Sequence, residues 1–386
     1  MKRNLFILAV AAILVIVAGC SSGTQKTLTE IGENTKTESV QDSRGFEKQL
    51  TPAEIAYQSA EQFLSMDNYT EAIANLRKAT ALKPDYLEAW SELGNALTKI
   101  KDFSGGIDAY KKALELSPDN KALIAAIGYN YLYLEDWDNA ERYYKMITSK
   151  DSLDYEGNVH LGFIYQKKGD IDQAIRYYEL ALKNKPDDAT TMGTLANLYE
   201  KKGDKAKQIE YLEKAVKAAP ENYRFQSQLG SAYLDGKQFD KAIPIYQALA
   251  NKFPDRAGYW RNLGLALSQT DRKKEAPAAL EKALEIKGDD AYLLAVMAQV
   301  YNDTKQYSKA IEAIKRGLKA GNGQEPYLYY QWGIAYSKMK MYDEAIAKFE
   351  KVVSYHDPFW SKYAKKQIAR QEKLKLIEKA KKSQGL

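Results

Sequence analysis

The side chains able to carry proton transfer, metal binding or thiol chemistry are few in this chain of 386 residues: two histidines, one cysteine and a large pool of carboxylates. His160 and His356 stand far apart, with no Cys or His nearby to complete a ligand set, and no H-E-x-x-H occurs. There is also no lysine-bearing phosphate loop and no dinucleotide-type glycine fingerprint. With 51 Asp and Glu, carboxylate pairs arise by chance, and none sits in an obviously apolar stretch. His160 therefore reads as a packing or groove residue, and the chain as a non-enzyme without catalytic residues, metal or cofactor.

The elements that would position any site repeat with a fixed period. Small residues at Ala60, Gly94, Gly128, Gly162, Ala196, Gly230, Gly264 and Ala298 follow one another every 34 residues, and Gly333 comes 35 after the last. A second series runs Ala72, Gly106, Ala140, Ala174, Ala242, Ala276, Ala310 and Ala345, while Pro84, Pro118, Pro186, Pro220 and Pro254 close successive units. Such a period belongs to stacked helix pairs, each unable to bury its apolar face alone. Trp90-x2-Leu93-Gly94, then Leu161-Gly162-x2-Tyr165 with Ala174, Tyr178 and Pro186, then Trp260-x2-Leu263-Gly264, resemble the tetratricopeptide repeat.

That resemblance implies an all-α, right-handed superhelical solenoid of nine helix-turn-helix units over residues 53–359, long enough for more than one superhelical turn. Units start near 53, 87, 121, 155, 189, 223, 257, 291 and 326. Gln208 and Gly317, where small and Ala residues are expected, mark weakened interfaces, and Ser152 and Gly288 replace the closing Pro. Tyr69, Phe103, Trp137, Phe239, Tyr307 and Tyr342 share one unit position and read as packing between helices. Lys168-Gly169-Asp170 and Lys202-Gly203-Asp204 read as a helix ending on Gly before a helix capped by Asp.

At the N-terminus, Lys2 and Arg3 precede an apolar run from Leu5 to Ala18, the layout of a secretory signal and short for a membrane span. Val17-Ala18-Gly19-Cys20 resembles the lipobox of bacterial lipoproteins, and the one Cys of the chain falls at its modified position. The resemblance implies a signal peptide at 1–19, acylation of Cys20 and attachment to a membrane, the outer membrane facing the periplasm in a diderm host. Residues 20–52 are polar and read as a disordered tether, with a reach of about 30 Å by random-coil scaling.

Net charge is +6, but residues 361–386 hold nine Lys or Arg against Glu372 and Glu378, and Lys2 and Arg3 leave with the signal. The remainder is slightly acidic, which argues against nucleic acid as a partner. The segment 360–386 reads as a basic capping helix, with Trp360, Tyr363, Ala364, Ile368 and Leu374 on its covering face. Lys365, Lys366, Arg370, Lys373 and Lys381 are candidates for contact with an anionic surface.

In the resembled family the first helix of each unit lines a concave groove through positions 2, 5, 9 and 12. Carried over, this selects Tyr57, Asn95, Tyr129, Phe163, Asn197, Arg224, Arg261, Gln299, Tyr327 and Tyr330 as a lining for an extended peptide or protein. The family's carboxylate clamp is not matched, since Ser91 stands at its Lys position beside Asn95. The expected role is a membrane-anchored adaptor that assembles or localises an envelope complex, of the secretin, pilus or hydrolase-tethering kind. The alternative is an exported glycan- or peptidoglycan-binding module, which the 29 tyrosines bring into view.

Overall fold

The computed structural model describes residues 39–41 and 47–383. The signal segment and Cys20 lie outside these residues. Two compact units divide the chain, Met1–Asn184 and Lys185–Leu386.

The first unit opens with an antiparallel hairpin, β1 (Ser39–Gln41) with β2 (Glu47–Gln49), in which Val40 faces Lys48. It falls inside the stretch whose composition predicts a disordered tether. Pairing there satisfies backbone groups and needs no apolar core, so composition alone misses it. Eight helices follow in four pairs: α1 (Pro52–Ser65) with α2 (Tyr69–Leu82), α3 (Leu87–Lys99) with α4 (Phe103–Leu116), α5 (Lys121–Tyr133) with α6 (Trp137–Lys150), and α7 (Tyr155–Lys168) with α8 (Ile171–Asn184).

The second unit holds five pairs: α9 (Ala189–Lys202) with α10 (Lys205–Ala218), α11 (Tyr223–Asp235) with α12 (Phe239–Lys252), α13 (Ala257–Ser268) with α14 (Ala276–Lys287), α15 (Ala291–Asp303) with α16 (Tyr307–Ala320), and α17 (Glu325–Lys338) with α18 (Tyr342–Val353). A longer helix, α19 (Pro358–Ser383), packs on α18 and α17. Each unit is thus a stack of helix pairs in which neighbours along the chain bury one another's apolar faces, as the sequence period requires.

The periodic small residues mark the closest helix approaches. A Cβ placed on Gly94, Gly162 or Gly333 would lie 2.6, 2.9 and 2.6 Å from the rings of Tyr110, Tyr178 and Phe349 on the paired helix. Where the same position holds Ala60, Ala196 or Ala298, the residue sixteen further on is Leu76, Leu212 or Ile314, in the same core clusters. At these positions the helices trade a methyl group on one side for ring bulk on the other, keeping the core filled, whereas Gly264 faces Leu280, 2.5 Å from a Cβ placed there.

Turns and unit ends follow equally local rules. Side chains of Asn68, Asp102, Asp136 and Asp204 accept from backbone N–H groups at the second helix of their pairs, and Asp154 and Asp188 do so at first helices. Trp90, Asn158, Gln226 and Trp260 each donate a side-chain N–H to the carbonyl six residues back, at Pro84, Ser152, Pro220 and Pro254, over 2.6–3.0 Å. The Trp and Pro of the motif are thus hydrogen-bond partners, and Ser152 serves as well as Pro because only the carbonyl is used.

Between paired helices the chain takes a left-handed residue at Asp67, Lys101, Glu135, Gly169, Gly203, Lys237, Lys305 and Lys340. Asp271, at the equivalent place, does not, and a 3-10 turn at Lys273–Glu275 leads into α14 instead. Gly317 is no vacancy, for a Cβ there would lie 3.0 Å from Leu328.

Candidate interaction surfaces on the first helices

In the first unit, Tyr57 on α1 packs against Tyr86 with ring centroids 5.0 Å apart and the planes tilted by 40°. Burial, then the neighbouring Glu61 and Glu92, push its hydroxyl above the ordinary tyrosine range, and burial likewise raises the Glu61 carboxyl. Asn95 on α3 accepts from the Tyr110 hydroxyl, so it supports a buried ring. On α5, Tyr129 donates to the Tyr133 hydroxyl over 2.8 Å, and Tyr133 in turn stacks on Phe103 at 4.7 Å. Phe163 on α7 meets the edge of Trp137 at 6.2 Å and carries the Lys167 ammonium 5.3 Å from its centroid.

Trp137 and Phe103 are two of the aromatics expected to pack between helices, and each does so against the first helix of the following pair. Tyr57, Asn95, Tyr129 and Phe163 are all partly buried. What this face offers is the remaining half of each ring, with carboxylates near Tyr57: Glu54, Glu61 and Glu88 occupy unit positions 2 and 9 and are at least partly exposed. Sequence reasoning passed over those three Glu, although the positional rule that selected Tyr57 and Asn95 covers them.

His160 stacks on Tyr144 at 4.4 Å, and burial pushes its imidazole down to about 4. It is a neutral packing ring at ordinary pH. Between the same two helices, Glu141 on α6 receives the Tyr165 hydroxyl at 2.7 Å and the Lys145 and Lys168 ammonium groups at 2.6 Å. Burial acts to raise this carboxyl, yet those three donors together hold it at about 2.

In the second unit, Asn197 on α9 accepts from Gln228 at 3.3 Å. Arg224 and Arg261 are exposed, and Arg261 donates to the Asn262 side chain at 3.3 Å. Gln299 accepts from the Tyr327 hydroxyl at 2.6 Å, and burial pushes that hydroxyl up to about 12. Tyr327 and Tyr330 lie under Trp360 of α19, with centroids 4.7 and 5.3 Å away. The structure thus separates the ten selected residues: the two Arg are open, the four of the first unit are half open, Asn197 and Gln299 are partly buried and hydrogen-bonded to neighbouring side chains, and the pair at the end is roofed by the capping helix. His356 sits exposed in a left-handed turn after α18.

One cavity of about 710 Å³ opens where the second-unit turn departs from the pattern, lined by Lys237, Gln238, Gln269, Arg272, Lys273, Gln299 and Asp303 among others. Lys273 stands where other pairs place an aromatic such as Phe239 or Tyr307, and Arg272 bonds Glu275 at 2.8 Å in place of a capping Asp. Among the described residues no group of His, Cys, Asp or Glu is arranged to hold a metal ion, and no helix is long and apolar enough to cross a membrane.

Comparison with known proteins agrees with this geometry. Family models described as "TPR repeat" and "Tetratricopeptide repeat" match residues 60–101, 87–120, 155–221, 227–291 and 327–357, together more than half of the chain. "Tetratricopeptide repeat protein 21B" of Xenopus laevis is 33% identical over 90 residues, which are 23% of this chain and 7% of that protein. Among solved structures, "Crystal structure of MamA protein" shares 19% identity, covering 45% of this chain and 94% of that one at a TM-score of 0.42. "Crystal structure of PilW, widely conserved type IV pilus biogenesis factor" shares 17%, covering 56% and 99%, at 0.41. "Functional Characterization of Pseudomonas Aeruginosa pilF" shares 18%, covering 54% and 94%, also at 0.41.

Proposed function

Because the chain belongs to the tetratricopeptide-repeat family, we propose that it is a protein-binding scaffold, anchored to a membrane through Cys20, that holds an extended partner segment against the first helices of its repeats and so localises an envelope complex. The observation that carries this reading is the half-open set Tyr57, Tyr129 and Phe163, each held against a neighbouring ring, with carboxylates beside Tyr57 at the N-terminal end. Pre-fixed rings take up apolar side chains at little entropic cost, and Glu61 and Glu88 favour a basic residue beside them. The exposed Arg224 and Arg261 on the second unit suit acidic groups.

Acylation at Cys20, the membrane that receives it and the kind of complex are parts of this proposal that rest on the N-terminal motif. The glycan-binding alternative has weaker support. Tyr131 with Tyr143, Tyr165 with Tyr177 and Tyr199 with Tyr211 stack on each other at 5.3–5.7 Å, so these rings are already occupied.

The test is cross-linked capture by the membrane-anchored chain, run beside a Tyr57→Ala, Tyr129→Ala, Phe163→Ala variant whose helicity is first confirmed by circular dichroism. Capture of a protein by the parent and its loss in the variant upholds the scaffold reading. Equal capture by both moves the site off the first helices, and retention on purified sacculi alone supports the glycan-binding alternative.

A further inference from the structure

Helix α19 covers the last pair with one face and leaves a composed stripe on another. Trp360, Ala364, Ile368, Gln371 and Leu374 are buried or partly buried, and Gln371 accepts from Ser337 of α17 at 2.9 Å. Away from them, Phe359, Tyr363, Lys366, Arg370, Lys373 and Ile377 follow at four- and three-residue steps and are all exposed, so Tyr363, expected on the covering face, instead lies beside it at 45% exposure. The stripe runs about 27 Å at the helical rise per residue. Phe359 is 56% exposed and Ile377 43%, with Leu376 at 68% beside it, so large apolar side chains stand in water at both ends of a cationic centre.

Two ordinary explanations fail for this stripe. A capping face facing solvent needs no aromatic rings, and a solvated charged face needs no Leu or Ile. A protein-docking patch would place its apolar groups together at the centre with charge at the rim, whereas here the cations are central and the apolar groups terminal. Rings and aliphatic groups that dip into an acyl boundary, with Lys and Arg between them on phosphates, match an anionic lipid surface. Charge is complementary as well, since residues 361–386 carry nine basic residues against two acidic ones.

We propose that the exposed stripe of α19 is a membrane-contact surface for anionic phospholipid, laying the C-terminal end of the second unit on the bilayer independently of the N-terminal anchor. This goes beyond partner binding, which uses other faces, so either reading can fail alone.

The test uses the full chain with Cys20→Ser and Ala369→Cys, the new thiol carrying an environment-sensitive fluorophore on the exposed side of α19. Vesicles of phosphatidylcholine are compared with an equimolar mixture of phosphatidylcholine and phosphatidylglycerol. The expected result is a blue shift, with quenching by a lipid-borne quencher, in the anionic vesicles only. Added salt should reverse it, and the apparent affinity should fall at least tenfold in Lys366→Glu, Arg370→Glu, Lys373→Glu. A Phe359→Ser, Tyr363→Ser variant should keep salt-sensitive association but lose the quenching. No shift in anionic vesicles, an equal shift in neutral ones, or a shift untouched by charge reversal would overturn the proposal. A concentration-dependent shift without vesicles would assign the face to a second copy of the chain instead.

Discussion

The indole of Trp360 lies 4.7 Å from the ring of Tyr327 and 5.3 Å from that of Tyr330, so the C-terminal helix roofs two residues whose unit positions would otherwise expose them. Capping and partner access therefore compete at this end of the second unit. Replacing Trp360 by Ala should cost about 2 kcal/mol, below the roughly 3–5 kcal/mol of a fully buried ring because the indole is only partly buried. Because repeat arrays open locally, the loss should show as faster amide exchange in α17, α18 and α19, with α9 to α12 unchanged. Unchanged exchange in α17 would contradict the roofing role.

Gly162 and Tyr178 should behave as a matched pair. Gly162→Ala forces a methyl to within 2.9 Å of the Tyr178 ring and should destabilise by about 1–3 kcal/mol. Adding Tyr178→Leu, which copies the Ala196 and Leu212 combination, should recover part of that loss. A denaturant-based double-mutant cycle with no coupling would show that the two positions do not constrain each other.

The left-handed turn residue offers a test of backbone cost. Gly169 has φ 84°, and nothing lies within 4 Å of a Cβ placed there, so Gly169→Ala isolates conformation from packing and should cost about 1 kcal/mol. Glu135→Gly, at φ 56°, should be neutral or slightly stabilising for the same reason. Equal and opposite thermal-melting shifts are not required, but a stabilised Gly169→Ala would refute the assignment.

Acid should destabilise the first unit in two steps. His160 is held neutral, with its imidazole lowered from 6.5 to about 4. The unfolded chain therefore binds a proton that the folded chain refuses, and stability falls as pH drops from 6.5 towards 4. Glu141, lowered from 4.5 to about 2, contributes stability that is present above pH 4.5 and lost as pH falls through 2. Urea midpoints measured across pH should lose the upper step in His160→Phe and the lower step in Glu141→Gln. If both variants keep the parent profile, the acid response lies elsewhere.

Charge on the second unit should govern the partner's affinity for it. Arg224→Ala with Arg261→Ala should weaken capture of an acidic partner segment and reduce its salt dependence while leaving helicity unchanged, since both guanidiniums are exposed. Unaltered salt dependence in equilibrium binding would remove them from the surface.

Much of this protein was legible because a repeat states its own contacts many times over. The 34-residue series of Gly and Ala located each helix crossing, and the bulk of Tyr110, Tyr178 and Phe349 opposite the glycines explains the spacing. At the shared aromatic position, Phe103 and Trp137 pack onto the next pair as expected. At Gly317, read as a weakened interface, Leu328 of the following pair approaches to 3.0 Å of a Cβ placed there, a contact that the position within the unit does not reveal. Of the candidate surface, position within the unit found Tyr57 and Asn95 but said nothing of what else would reach them.

Period, capping chemistry and the order of apolar residues are local, so the sequence by itself determined the helix pairs and their count among the described residues, though not the 3-10 turn before α14. Accessibility is not local. Whether Tyr327 faces a partner or Trp360, whether Asn95 is free or holds Tyr110, and whether Lys273 leaves a cavity depend on side chains brought from other helices. Only the packed tertiary structure decided these, because exposure is a property of the neighbours that a side chain acquires and not of the side chain alone.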